Sequence, residues 1–205
     1  MKFGLIIILL SMNFAQNINF YNNDNESFAD VKTKDFTFTC RVGGMENDKG
    51  TIFLLHGFPE TSRMWNDLIK VLENEGYRII APDQRGYSKG ARPSKVSNYT
   101  IDKLSQDVID IANEFNIDKF HLVGHDWGSA VGWYMASNFP DRIITWSALS
   151  VPHLDAFVYS MRNDKVQIKK SEYIKFFNKP ILPEIYFKIF SYKNLKNIWR
   201  KSSES

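Results

Sequence analysis

Four short apolar runs constrain the fold of this chain more than any other feature. They cover residues 51–55, 77–81, 119–123 and 143–151, and helical patterns over 64–74, 100–115 and 129–138 lie between them. In the clearest helix, Thr100 is a candidate cap and Asp102 lies at the positive end. Short apolar runs that alternate with helices are typical of strands buried on both faces. The sequence therefore predicts an α/β fold with a mostly parallel sheet, helices on both faces and right-handed crossovers.

The bulk composition allows one folded domain and excludes one class of function. The chain has 205 residues, of which 43% are hydrophobic, so it has enough apolar material for a single core. Its formal net charge of +3 argues against a nucleic-acid binder with a broad basic face. From Met161 onward, the chain has eleven Lys and Arg but only four Asp and Glu. We interpret this excess of positive charge as a solvated helical surface, with attraction to anionic surfaces as the alternative.

The N-terminus predicts secretion. Residues 1–15 combine Lys2 with an apolar run that is too short to span a bilayer, as in a signal peptide; a buried strand is the alternative. Residues 16–33 are polar and rich in asparagine and have no periodic pattern, so they are predicted to form a polar leader or linker. The chain has one cysteine, Cys40, and therefore no internal disulfide. We predict a location outside the cell or in the secretory lumen, with no stable membrane span.

The strongest chemical signal is Gly124-His125-Asp126-Trp127-Gly128, between a buried strand and a helix. A residue at such a tight turn projects above the sheet, and small residues two positions away let the backbone segments approach. The adjacent helix N-terminus stabilises a negative charge, so Asp126 is a candidate nucleophile. The alternative is an ordinary helix-capping aspartate.

Two further motifs follow strands, as expected for a sheet that binds ligands at its carboxyl ends. They are His56-Gly57-Phe58-Pro59-Glu60 and Asp83-Gln84-Arg85-Gly86-Tyr87-Ser88. Together with the motif around Asp126, they resemble the epoxide hydrolase branch of the α/β-hydrolases. The resemblance implies that Asp126 is the nucleophile and that the backbone N–H groups of Phe58 and Trp127 form an oxyanion hole. It also implies an α/β-hydrolase core over residues 34–154.

Residues 155–205 are expected to form part of a helical cap. The segment 171–180 resembles the cap of the epoxide hydrolases, in which a tyrosine at the position of Tyr173 donates a hydrogen bond to the epoxide oxygen. The alternative is an ordinary amphipathic aromatic residue. The pocket is predicted to be apolar and to bind a small apolar substrate, with these candidate binding residues: His56, Phe58, Pro59, Trp127, Phe157 and Phe177.

The resemblance implies a two-step reaction without cofactor or metal. Asp126 attacks an epoxide carbon while Tyr173 and a second cap tyrosine polarise the ring oxygen, and water then hydrolyses the alkyl–aspartyl ester.

The histidine base that the second step requires is not found. The four histidines are His56, His121, His125 and His153, and none lies late in the chain. His153, with Asp155 as its acid partner, is a weak candidate, because it is not at the base position of the family. His121 and His125 are four residues apart along a strand, roughly 13 Å, which is too far for one metal ion.

The resemblance ends inside the cap, so we expect a truncated chain whose strand at 143–151 is an exposed apolar edge. Two alternatives to an epoxide hydrolase stay open. One is a haloalkane or haloacid dehalogenase, since the same displacement works on a carbon–halogen bond. The other is a non-catalytic binder of lipophilic ligands, favoured by the missing base. Nothing in the sequence indicates the oligomeric state.

Overall fold

The computed structural model describes residues 17–189, 193 and 196. The predicted signal peptide, residues 1–15, lies outside this part of the chain. The strands are β1 Ile18–Asn23, β2 Glu26–Lys32, β3 Thr37–Gly43, β4 Thr51–Leu55, β5 Arg78–Pro82, β6 Phe120–His125 and β7 Ile143–Leu149. The helices are α1 Asn66–Asn74, α2 Ile101–Glu114, α3 Trp127–Asn138, α4 Leu154–Asn163, α5 Lys165–Lys170, α6 Glu172–Phe177 and α7 Leu182–Ile189.

All seven strands form one sheet in the order β1-β2-β3-β5-β4-β6-β7. The neighbours β5, β4, β6 and β7 are parallel to one another. The pairs β1–β2, β2–β3 and β3–β5 are antiparallel. Because two antiparallel steps separate β2 from β5, β2 runs in the same direction as the parallel set, and only β1 and β3 run against it. The predicted mostly parallel sheet is confirmed.

Helices cover both faces of this sheet, as its central strand shows. In β4, Phe53 and Leu55 pack into a core cluster with residues of α2 and α3. Ile52 and Leu54 belong to a second cluster with residues of α1. Side chains of a strand alternate between faces, so α1 lies on one side and α2 and α3 on the other. This double cover explains why β4 is buried throughout and is continuously apolar after Thr51.

The prediction of a polar leader or linker over residues 16–33 is wrong, because residues 18–32 form the hairpin of β1 and β2. The turn residues Asp24 and Asn25 have φ of 49° and 63°, the left-handed conformation that two-residue hairpin turns require. In β2, Ala29 and Val31 are fully buried against the core. The polar composition of β1 reflects its position as an edge strand, not a lack of structure.

The next strand, β3, carries the single cysteine into the core. Cys40 lies opposite Ala29 on one side and Pro82 on the other, and it is fully buried. Burial holds the pKa of its thiol well above the usual value.

The opposite edge of the sheet is β7, and its side chains are largely solvent-exposed. Ile144 is 50% exposed and Leu149 is 43% exposed. The predicted apolar edge is therefore confirmed, although the strand ends two residues earlier than expected. The helices α4 to α7 follow, in the segment predicted to be a cap. Among the described residues, none of the helices has the length and apolar character needed to cross a membrane.

Candidate active site

Asp126 lies in the turn between β6 and α3 with backbone angles φ 52° and ψ −118°. This conformation is unfavourable for a residue with a side chain, so the surrounding structure must hold it. The carbonyl oxygen of Asp126 accepts hydrogen bonds from the N–H groups of Ser129 at 2.9 Å and Ala130 at 3.1 Å. Its own N–H donates to the carbonyl oxygen of Leu149 at 3.3 Å. The turn is thus fixed by the first turn of α3 and by the end of β7.

The glycines on either side of Asp126 allow close backbone contact. A Cβ atom on Gly128 would overlap the carbonyl group of Leu55, and one on Gly124 would overlap the carbonyl group of Gly128. A larger residue at either position would collide with backbone atoms, which cannot move aside as a flexible side chain could. This explains the expected need for small residues two positions from the nucleophile.

A backbone N–H group holds the carboxylate of Asp126. The N–H of Phe58 donates to Oδ1 at 2.8 Å. This approach requires Gly57, because a Cβ atom there would lie 2.5 Å from Oδ1. Trp127 is the first residue of α3, where a backbone N–H has no acceptor within the helix. The two groups predicted as an oxyanion hole therefore flank Asp126.

His56 is fully buried. Its Nε2 accepts a hydrogen bond from the N–H of Gln84 at 3.0 Å, so Nδ1 carries the proton and donates to the carbonyl oxygen of Gly57 at 3.0 Å. The side chain of Gln84 donates to the carbonyl oxygen of His56. Burial lowers the pKa of His56, which agrees with a neutral ring. His56, predicted as a binding residue, has a side chain that joins the two loops that follow β4 and β5.

An aromatic cluster of Phe58, Tyr173 and Phe177 joins the turn after β4 to α6. The ring of Phe177 lies 5.6 Å from that of Phe58 and 5.9 Å from that of Tyr173, between ring centres. Burial, and then the negative charge of Asp126, raise the pKa of Tyr173, although this residue is 57% exposed. Residues from two separate predicted segments, Phe58 from one and Tyr173 and Phe177 from the other, thus come together.

The remaining predicted binding residues lie around this cluster or apart from it. Trp127 is 61% exposed, and Pro59 is half-buried next to Phe58. Phe157 is half-buried on α4. Among the described residues, the rings in contact with Phe177 are those of Phe58, Tyr173, Phe176 and Phe187, so Phe157 does not belong to the cluster.

A small cavity of about 80 Å³ lies on another side of the turn. It is lined by Gly57, Gln84, Arg85, Tyr87, Tyr99, Leu104, Trp127 and Val131. Burial and the negative charges of Asp126 and Glu60 raise the pKa of Tyr87 to about 12, so this phenol is neutral. Neither Gln84 nor Tyr87 was predicted from the sequence as a catalytic or binding residue. The signal was available, because their motif directly follows β5, at the sheet end where ligands bind.

None of the four histidines, all of which the structure describes, forms a hydrogen bond with Asp126. His153 caps α4, where its Nδ1 accepts from the N–H of Asp155 at 3.3 Å. His121 bonds through Nδ1 to the hydroxyl of Thr145 at 2.8 Å. The described residues therefore place the backbone N–H of Phe58 on the Asp126 carboxylate, and none of the histidines forms a hydrogen bond with that carboxylate.

Comparison with known proteins agrees with this architecture. Residues 50–198 match the model of the alpha/beta hydrolase fold family. The AB hydrolase superfamily protein YfhM of Bacillus subtilis (strain 168) is 38% identical over 165 residues, which cover 80% of this chain and 57% of that protein. Epoxide hydrolase 4 of Homo sapiens is 34% identical over 162 residues, 79% of this chain and 44% of that protein. The chain thus spans about half the length of the curated relatives it matches.

Solved structures give the same result. A Vigna radiata epoxide hydrolase mutant superposes with a TM-score of 0.71 at 31% identity, over 82% of this chain and 52% of that one. The Bacillus megaterium epoxide hydrolase in complex with an inhibitor superposes with a TM-score of 0.75 at 28% identity, over 82% and 58%. With a family match over more than half of its residues, the chain belongs to the α/β-hydrolase family and, within that family, is epoxide hydrolase-like.

Proposed function

We propose that Asp126 opens the ring of a small apolar epoxide and forms an alkyl–aspartyl ester, the first half of epoxide hydrolysis. The observation that carries this proposal is the environment of the carboxylate. Oδ1 accepts the N–H of Phe58, whereas within the described residues Oδ2 accepts no hydrogen bond. One oxygen is therefore held in place and the other is available to attack. The epoxide hydrolases among the relatives support the choice of substrate class.

In the proposed step, Oδ2 forms a bond to a ring carbon and the bond from that carbon to the ring oxygen breaks. The electron pair goes to the ring oxygen, which takes the phenol proton of Tyr173. A phenol suits this task because it is neutral until it donates, and the raised pKa of Tyr173 keeps the proton in place at neutral pH. Oδ1 becomes the carbonyl oxygen of the ester and already accepts the N–H of Phe58.

The second half, hydrolysis of the ester, needs a base that activates water. None of the described histidines forms a hydrogen bond with Asp126, and the described contacts of His153 are with Trp133 and Asp155. We therefore expect the 205-residue chain to accumulate the ester.

Intact mass spectrometry after incubation with styrene oxide tests this proposal. We expect a single adduct with the mass of the whole epoxide, since ring opening loses no atoms, and peptide mapping should locate it at Asp126. Asp126→Asn removes the nucleophile and should remain unmodified. Asp67→Asn, at an exposed position on α1, is the matched control and should react like the parent chain.

The other outcomes of this experiment identify the alternatives. An adduct from a 1-haloalkane that has lost the halide, with none from the epoxide, would indicate a dehalogenase. Reversible binding without any adduct would indicate a non-catalytic binder. This alternative is favoured because none of the described histidines forms a hydrogen bond with Asp126. An adduct that persists in Asp126→Asn would contradict the assignment of the nucleophile.

A further inference from the structure

The cavity of about 80 Å³ begins beside the nucleophile. One of its lining residues is Gly57, whose Cα lies against the Asp126 carboxylate closely enough that a Cβ would be 2.5 Å from Oδ1. Another is Trp127, the residue directly after Asp126. The aromatic cluster of Phe58, Tyr173 and Phe177 contributes nothing to its lining. Two separate surfaces therefore flank the carboxylate, one aromatic and one formed by this cavity.

Three of the polar side chains that line the cavity, those of Arg85, Gln84 and Tyr99, have partners elsewhere. The guanidinium group of Arg85 donates to both carboxylate oxygens of Asp107, at 2.8 Å and 2.5 Å, and to the carbonyl oxygen of Asn98 at 2.6 Å. Gln84 donates to the carbonyl oxygen of His56, and the hydroxyl of Tyr99 donates to that of Pro93 at 2.8 Å. The cavity therefore contains no free charge.

Aliphatic side chains and ring faces make up the rest of the wall. Leu104 of α2 is half-buried, and Val131 of α3 is fully buried. A volume of about 80 Å³ is smaller than the roughly 150 Å³ of a cavity that holds benzene, and it corresponds to two or three water-sized groups. Its size and lack of charge favour a short aliphatic chain over an aromatic ring or an ion.

We propose that this cavity is a subsite for an unbranched alkyl group of two or three carbons on the second ring carbon of the epoxide, with Leu104 limiting its length. The inference rests on the proposed function, since it assumes that Asp126 attacks an epoxide. An epoxide has two ring carbons, and the two surfaces beside Asp126 match one substituent each. The aryl group lies against Phe58 and Phe177, and the alkyl group enters the cavity.

The test uses a series of 1-phenyl-1,2-epoxyalkanes in which the alkyl group grows from none to pentyl. The rate of adduct formation at Asp126 should rise about fourfold per carbon up to ethyl or propyl, the factor expected for burying one methylene, and fall for pentyl. In Leu104→Phe, which fills the cavity, the rise with chain length should be lost. In Leu104→Ala, which enlarges it, the maximum should move to a longer chain. Leu72→Phe, at a half-buried position of α1 on the opposite face, should keep the parent profile.

Calorimetric binding of the corresponding unreactive diols tests the cavity without any chemistry, and circular dichroism verifies that each variant is folded. Diol affinity should rise with chain length by the same factor and lose this dependence in Leu104→Phe. If no epoxide reacts but the diols follow this pattern, the proposed function fails and the subsite stands. If adducts form but the rates and affinities are flat with chain length, or unchanged in both Leu104 variants, the subsite is overturned and the proposed function stands.

Discussion

At the residue scale, the site depends on side chains that hold loops as much as on those that react. Asp126 occupies a strained backbone conformation, which costs on the order of 1–3 kcal/mol. The hydrogen bonds of Ser129 and Ala130 offset this cost from one side. From the other side, His56 fixes the loop that carries Phe58, through its bonds to Gln84 and Gly57. The neutral state of His56 is thus part of the geometry around Asp126.

Acidification should therefore destabilise the fold through His56. Burial lowers its pKa below the usual 6.5, more strongly than the hydrogen bond to Gly57 and the charges of Asp83 and Asp126 raise it. The unfolded chain then binds more protons than the folded chain, so the free energy of unfolding falls as the pH drops through 6.5. The slope contributed by one such group is at most about 1.4 kcal/mol per pH unit. Urea unfolding of the parent and of His56→Gln between pH 7.5 and 5 measures this, and parallel curves for the two proteins would refute it.

At the element scale, a buried ion pair ties the loop after β5 to α2. The side chains of Arg85 and Asp107 are 7% and 9% exposed, and their bidentate contact brings the loop against the side of the helix. The guanidinium group also lies 4.6 Å from the ring centre of Phe36, just before β3. Since the same loop contributes Gln84 and Tyr87, the pair positions one wall of the site.

Removing one partner of this pair should cost more than removing both. Arg85→Met leaves the Asp107 carboxylate buried and unpaired, which should lower the free energy of unfolding by about 3–5 kcal/mol. The double variant Arg85→Met/Asp107→Leu removes both charges and should be more stable than Arg85→Met alone. Lys70→Met, in an exposed pair with Asp67, is the control and should change little. Urea denaturation gives all four values; a double variant less stable than Arg85→Met would contradict the argument.

The sequence predicts the central elements well and the periphery poorly, for identifiable reasons. The predicted bounds of the strand β4 and the helix α2 agree with the structure within a residue or two. Both elements are buried, so β4 has a continuous apolar run and α2 has apolar residues at helical spacing. The strand β1 was missed, because five of its six residues are exposed and its structure comes from pairing with β2. The turn at Asp24-Asn25 was the available signal.

The residues of the site also differ in how well the sequence predicts them. Asp126, Phe58 and Trp127 could be identified because a strand-to-helix turn with glycines has a local sequence pattern. The internal role of His56 could not, since it arises from a contact between loops that are 28 residues apart. The motif after β5 marks the position of Tyr87 at the ligand-binding end of the sheet, but it does not predict the cavity beside it.

At the scale of the whole molecule, the two sheet edges differ in character. The β1 edge is polar, whereas β7 presents Ile144 and Leu149 to solvent beside unpaired backbone groups. Such an edge can pair with another strand, either in a partner or in a second copy. The described part of the chain leaves this edge open.

We expect the 205-residue chain to self-associate through this edge. Ile144→Lys places a charge on the exposed strand and should shift the molecule toward the monomer. Val71→Lys, at a 57% exposed position of α1, adds the same charge away from β7 and should not. Light scattering over a range of concentrations measures both, and equal association of the two variants would rule out β7 as the contact.

The burial of Cys40 allows thiol labelling to report on the opening of the core. Its thiol is fully buried in the core cluster that α2 and α3 form with the sheet, so a thiol reagent reaches it only when this core opens. The rate at which the native protein is labelled therefore measures how often the core around Cys40 opens. The same burial removes the softest nucleophile of the chain from competition for electrophiles. An epoxide that modifies the folded protein thus meets carboxylates, amines and imidazoles, but no available thiolate.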